Sequence, residues 1–309
     1  MNIKRIVVAV SLLAFSAAAA GIDFGKLLEE RINQELNKDK KTQPAPAQAP
    51  APAQSAASPP PPEKQKIDAR KLGFALFGDY STEEENRIGK QISGDLLGAV
   101  QLVRDDKLQN YVNLVGNWVA QQSGRKDLSW RFGVLDTEDI NAFAAPGGYI
   151  FLTKGLYRRL NNEAELAGVL AHEIAHVSQK HHLKVLKQST LIGALGEAVG
   201  SKVKGNDPAV QNLIGNGAEI MARGLDKNAE FEADRIGIVY AARAGYDPWG
   251  LPGVLQDMAA LPAKDSRTSL LYKTHPHPAD RLAALGEAVD GRLDAVSGKD
   301  LAKRFYRIR

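Results

Sequence analysis

Eight of the fifteen prolines fall between residues 42 and 62, among Ala, Gln and Ser, and the run ends in Pro59-Pro60-Pro61-Pro62. A segment of this kind is extended and semi-rigid and has no apolar face to bury. Residues 42–64 therefore read as a linker, and a folded body has to be built from residues 65–309. That length suits one large domain. Hydrophobic residues make up 44% and charged residues 25% of the chain. This is globular composition, which excludes a fully disordered chain, a collagen and a polytopic membrane protein. There is no Cys, so thiol catalysis, Cys-ligated metals and disulfides are excluded, and any metal must be held by His, Asp or Glu.

Before the linker the chain changes character twice. Lys4 and Arg5 precede an apolar run from Ile6 to Ala20 that closes on small residues. A positive start, a short apolar run and an Ala-x-Ala-like end read as a cleavable export signal over residues 1–20. The run is shorter than the ~20 apolar residues of a spanning helix, which disfavours an uncleaved anchor. The implied location is the periplasm. In residues 21–41, Phe24, Leu28, Ile32 and Leu36 recur at i+4 and give a short amphipathic face. The formal net charge is +4, and two of those positives are Lys4 and Arg5. The remainder is too close to neutral to point to nucleic acid or an anionic membrane as the main partner.

The body reads as mostly helical α+β. Ser81 and Thr82, three residues before Glu84 and Glu85, form a capping-box start. Asp105 or Asp106 opens a second helix with Leu108, Tyr111, Val112, Val115 and Val119 on one face. At Trp130–Leu135 the period drops to two and predicts a strand. Residues 142–153 predict a second β segment broken by Pro146-Gly147-Gly148. From Asn162 onward the pattern is helical almost to the end.

Residues 172–176 are His-Glu-Ile-Ala-His, a pattern found in zinc proteases. Two histidines at i and i+4 lie on one helix face, so both imidazoles can reach one tetrahedral zinc. Glu173 sits about 100° round the helix, beside the metal, where a base acting on water is needed. Asn162 with Glu165 caps the helix, and Leu166, Val169, Leu170 and Val177 give it a buried face. The bland alternative is a pair of ordinary helix-face histidines.

A catalytic zinc needs a third protein ligand, and two candidates compete. A His-Glu-x-x-His-x-x-Gly-x-x-His pattern would use His182. Position 179 is Gln, however, and the helix is expected to run on through it. His182 would then lie about 9 Å along the axis from His176. In that reading His181 and His182 are favourable charges near a helix C-terminus. The other candidate is Asn228-Ala-Glu-Phe-Glu-Ala-Asp234 on a later helix. Glu230 and Asp234 share a face, so one can bind zinc while the other accepts a hydrogen bond from a ligand imidazole.

The ordered set of His-Glu-Ile-Ala-His, Glu-Phe-Glu-Ala-Asp and Thr274-His275-Pro276, with Asn141-Ala-Phe-Ala-Ala-Pro-Gly-Gly-Tyr-Ile, resembles the zinc metalloendopeptidase family of HtpX, BepA and the Ste-type CAAX prenyl proteases. The resemblance runs from about Ser81 to Leu285 and is greatest to the soluble periplasmic BepA-like branch. It implies a zincin-like fold with a small β-sheet beside the metal helix, and one zinc held by His172, His176 and Glu230. It selects Glu230 over Glu232, makes Glu173 the base, and gives Asp234 the task of orienting a ligand. It gives Arg281 the task of orienting substrate or a carboxylate, and it implies that His275 takes zinc's fourth position at rest. His277 is one register out from this match. Substrates are expected to be unfolded or misassembled envelope proteins in quality control, and contacts with the membrane periphery or outer-membrane assembly are compatible with the match. The few residues after Leu285 are not expected to form the helical-repeat domain of BepA, so docking carried by that domain is not part of what the resemblance implies. A second reading is a chaperone-like envelope factor that keeps zinc and seldom cleaves. The retained Glu173 argues against it, because a purely structural site has no use for a base.

Overall fold

The computed structural model describes residues 78–188, 225–262 and 266–308. The proposed export signal, amphipathic segment and linker, residues 1–64, lie outside the described residues. Helix α1 (Thr82–Ala99) starts at Ser81, whose hydroxyl accepts from Glu84 N while the Glu84 carboxylate accepts from Ser81 N. Helix α2 (Asp106–Ala120) is capped by Asp105. Both starts satisfy amides that a helix leaves without internal partners.

Three strands follow: β1 (Arg131–Leu135), β2 (Ala142–Ala145) and β3 (Tyr149–Thr153). The sheet order is β1-β3-β2. β1 runs parallel to β3, from Arg131 beside Tyr149 to Leu135 beside Thr153. β2 runs antiparallel to β3, from Ala142 opposite Leu152 to Ala145 opposite Tyr149. The β2–β3 turn is Pro146-Gly147-Gly148, with both glycines at positive φ, 75° and 86°. Glycine is the residue that adopts this conformation without a steric penalty. The turn is held by Glu85 of α1, whose carboxylate accepts from Gly147 N at 3.2 Å and pairs with Arg125 at 2.8 Å.

The strand read from the alternation is β1, and it is buried on both faces beyond Arg131. Phe132 and Val134 face the core shared with α2, while Leu135 joins Phe143, Phe151, Ile92 and Leu96 under α1. Helices on both sides of the sheet account for this.

After β3 come α3 (Lys154–Tyr157), α4 (Glu163–Ser178), α5 (Lys227–Arg243), α6 (Gly250–Ala259), α7 (Ser269–Thr274) and α8 (Pro278–Val289). Every α4 residue from Glu163 to Val177 is buried, so the helix has no solvent face, contrary to the single buried face expected. A helix surrounded in this way is the central element of its core, and α2, α5, α6 and β2 all pack against it. The fold is α+β and mostly helical, as read from the sequence. No described helix is long and apolar enough to cross a membrane. The sequence pattern did not show that residues 299–308 return to the body as an irregular strap. Ala164 N donates to Asp300 O, Phe305 stacks on Tyr157, and Tyr306 donates to Asp105.

Candidate metal centre

Asn162 caps α4 by accepting from Glu165 N at 2.8 Å, and the Glu165 carboxylate reaches back to Asn161 N at 2.7 Å. Two turns further along, α4 presents His172 and His176, with their Nε2 atoms 3.0 Å apart. Asp226 caps α5, and that helix brings Glu230 to the pair. Glu230 Oε1 lies 3.5 Å from His176 Nε2, and Oε2 lies 3.7 Å from His172 Nε2. The two helices approach closely at Gly237, where an added Cβ would sit 2.9 Å from His172 N. From the α7–α8 junction, His275 places Nδ1 2.8 Å from Glu230 Oε2. Ligand atoms of His172, His176, Glu230 and His275 all lie within 4.8 Å of one another.

Behind this group, Asp234 Oδ1 lies 2.9 Å from His172 Nδ1. Arg281 donates from Nε to Asp234 Oδ2 at 2.9 Å. Of the two tasks expected for Arg281, the carboxylate is the one it meets. Glu232 points elsewhere: its side chain is 41% exposed, and its Oε2 lies 3.3 Å from His181 Nε2. His277 caps α8 by accepting from Ala279 N, and its ring is stacked on Tyr272.

The helix does not run through Gln179 as expected. It ends at Ser178, Lys180 takes a left-handed φ of 55°, and a new helical segment begins at 181. A left-handed residue just past the last turn is a common helix stop, usually supplied by Gly or Asn; here Lys supplies it, so the sequence carried no signal. The bend invalidates the axial separation computed for a straight helix. The His182 ring centroid is 6.0 Å from that of His176, and the His181 Nδ1 is 2.9 Å from His176 Nδ1. Neither belongs to the four-residue cluster. Nor are they the helix-end charges expected, since burial pushes the His182 pKa down to about 4 and also lowers that of His181.

Burial raises the pKa of Glu173, with the Glu230 charge adding to the effect. Burial and the surrounding histidines hold His176 neutral, the form that binds metal. Burial works against the Glu230 carboxylate, but the charge and hydrogen bond of His275 outweigh it and hold the pKa at about 2. Asp234 likewise stays ionised despite burial, through Arg281 and His172. Glu230 is fully buried, and its Oε1 has no hydrogen-bond partner among the protein groups. A buried carboxylate oxygen left without a partner is costly, and a cation among these donors would satisfy it. Nitrogen from two imidazoles plus a carboxylate oxygen is a donor set for zinc.

Two cavities meet at Glu173 and His275. One runs past Ala142, Phe143 and Ala144 of β2 to His176 and Glu230. The other is apolar, lined by Val169, Leu251, Val254, Leu255 and Met258. The sequence reading missed a buried link between these parts: the Asn141 amide donates to the Thr274 hydroxyl at 3.4 Å, next to His275.

A helix carrying His-Glu-x-x-His, faced by a carboxylate from a second helix beside a small mixed sheet, is the architecture of a metallopeptidase. Residues 106–289, more than half of the chain, match the model of peptidase family M48, and the chain belongs to that family. Its cofactor is zinc, and the four-residue cluster is positioned for it. The chain is 31% identical over 221 residues to the beta-barrel assembly-enhancing protease of Escherichia coli K12, covering 69% of this chain and 45% of that protein. It is 25% identical over 214 residues to the mitochondrial metalloendopeptidase OMA1 of Schizosaccharomyces pombe, covering 68% and 63% of the two chains. It is 30% identical over 152 residues to the metalloprotease YcaL of E. coli K12, covering 48% and 58%. The chain thus spans less than half the length of the first of these relatives.

Proposed function

We propose that this chain is an exported zinc metalloendopeptidase that hydrolyses peptide bonds of unfolded or misassembled envelope proteins in the periplasm. The observation that carries the reading is the convergence of His172, His176 and Glu230 on one buried point, with an unpartnered Glu230 oxygen facing it and Glu173 alongside. His172, His176 and Glu230 would hold the zinc, and Asp234, fixed by Arg281, orients His172. Bound zinc supplies a Lewis acid that activates water and polarises the scissile carbonyl. Glu173 takes the proton of the attacking water and returns it to the leaving amine. β2 is an outer strand of the sheet, and an extended peptide laid along Ala142–Ala144 would add to it as a further strand. His275, hydrogen-bonded to Glu230, would serve as a fourth ligand at rest and would have to give way to substrate.

The envelope assignment is supported by the Lys4–Ala20 segment and by the E. coli relative, which is named for enhancing β-barrel assembly. The testing experiment is incubation of purified protein with casein, with and without chelator, followed by zinc readdition. Cleavage that chelator stops and zinc restores is expected. Chelator-insensitive cleavage, or none from either wild type or His275→Ala, overturns the proposal.

A further inference from the structure

The two metal-facing imidazoles are supported from behind in different ways. His172 Nδ1 meets a carboxylate directly, Asp234 at 2.9 Å. His176 Nδ1 instead meets the ring of His181 at 2.9 Å, and His181 Nε2 meets Glu232 Oε2 at 3.3 Å. We infer that Glu232 and His181 form a two-step relay that fixes the tautomer and ring orientation of His176 for the metal. Both are positioning residues. The inference rests on the zinc reading above and extends it to two side chains outside the ligand set.

The proton positions follow from the partners. His176 Nε2 faces His172 Nε2 at 3.0 Å and Glu230 Oε1 at 3.5 Å, so Nε2 is the metal side. A neutral imidazole that binds metal through Nε2 keeps its proton on Nδ1, and that N–H must donate to His181 Nδ1. His181 Nδ1 must then be the acceptor, which leaves its proton on Nε2, aimed at an ionised carboxylate that can only accept. Reversing the His181 tautomer would set two N–H groups against each other at one end and a lone pair against an oxygen at the other.

Three features of the chain make the relay possible. Lys180 at φ 55° bends the backbone just past α4, so His181 folds back against His176 rather than continuing along the helix. His181 is buried, 3% exposed, while the Glu232 side chain is 41% exposed. The relay therefore runs from the protein surface to the metal. Helix α5 also serves the centre three times within five residues: Glu230 on the metal, Asp234 behind His172, and Glu232, through His181, behind His176. Partners of this kind typically contribute 10- to 100-fold in metal affinity.

The test is the zinc dissociation constant, measured by competition with a chromophoric chelator, for wild type, Glu232→Ala, His181→Ala, the double variant and His176→Ala. Glu232→Ala is expected to weaken zinc about tenfold and His181→Ala by up to about 100-fold. The double variant is expected to be no weaker than His181→Ala alone, because members of one chain do not act additively. Nitrogen-15 NMR of the zinc-loaded wild type should show neutral His181 with its proton on Nε2. His176→Ala is the control for the ligand set: if it binds zinc like wild type, the zinc reading itself fails. If His176→Ala loses zinc while Glu232→Ala and His181→Ala bind as wild type, the relay is overturned. Additive losses, or a proton on His181 Nδ1, overturn it as well. Should His181→Ala not fold, the half-exposed Glu232→Ala and the tautomer measurement decide.

Discussion

Glu173 is 3% exposed, on the helix face between the two metal-facing histidines and the cavity along β2. Glu173→Gln keeps its volume and removes its ability to take a proton. Casein cleavage should fall by roughly 10²- to 10⁴-fold, with zinc content and thermal unfolding unchanged; near wild-type turnover would refute the assigned role. Glu230 and Glu232 make a second comparison. Glu230→Ala should lose zinc on dialysis, whereas Glu232→Ala should retain it at reduced affinity. Loss confined to the second variant would reverse the assignment. His275 binds the Glu230 carboxylate at 2.8 Å. If it closes the site at rest, His275→Ala should cleave casein faster than wild type at equal zinc content, and an unchanged rate would leave His275 a structural group.

At the scale of elements, the metal centre depends on how closely α5 lies on α4. Gly237 sets that distance, since a Cβ there would meet backbone atoms of Ala171 and His172. Gly237→Ala should push α5 outward and move Glu230 off the histidines. The expected result is weaker zinc binding together with a stability loss of about 1–3 kcal/mol, the usual cost of overpacking, read by zinc titration and thermal melts. The legible elements were those with local chemistry: the Ser81–Glu84 box, the Asn162 cap, and the Pro146–Gly148 break between strands. The stop at Ser178 was not legible, because Lys180 enters the left-handed region without the glycine or asparagine that usually marks it. Burial all round α4 was also hidden. An apolar stripe shows which face is buried first, but not that Glu163, Glu165, His172, Glu173 and His176 are enclosed too. The clustering of His172 with His176 was legible because metal chemistry restricts both residue type and spacing, whereas Glu230 and His275, which complete the cluster, are distant in sequence and were singled out only by the family resemblance. The His181–Glu232 contact was not legible, since it depends on the bend.

For the whole molecule, the first residue of the metal helix is tied to distant parts of the chain. Glu163 accepts from Tyr111 and Tyr246, each at 2.8 Å, and from Arg304 Nε at 2.8 Å. Burial opposes its ionisation, but these partners, Arg304 foremost, hold its pKa below the ordinary 4.5. A depressed carboxylate stabilises the fold above its unfolded pKa and loses that contribution as pH falls through its folded value. Glu163→Gln should therefore destabilise the protein at pH 7 by roughly 1–3 kcal/mol. The gap from wild type should narrow as pH drops below about 4.5, as measured by denaturant unfolding across pH. A pH-independent gap would mean that the effect is packing alone. The strap from Lys299 was beyond sequence reading because its contacts are long-range and irregular. The ligand positions carry one more consequence. His176 and Glu230 lie 54 positions apart in a chain without cysteine, so the site they share exists only while the chain is folded. A metal that binds the folded chain and not the unfolded one adds its binding free energy to stability, about 4 kcal/mol at a free concentration roughly 1,000-fold above its dissociation constant. Chelation would then withdraw stability as well as the reaction, so inactivation and a fall in melting temperature should follow the same metal titration.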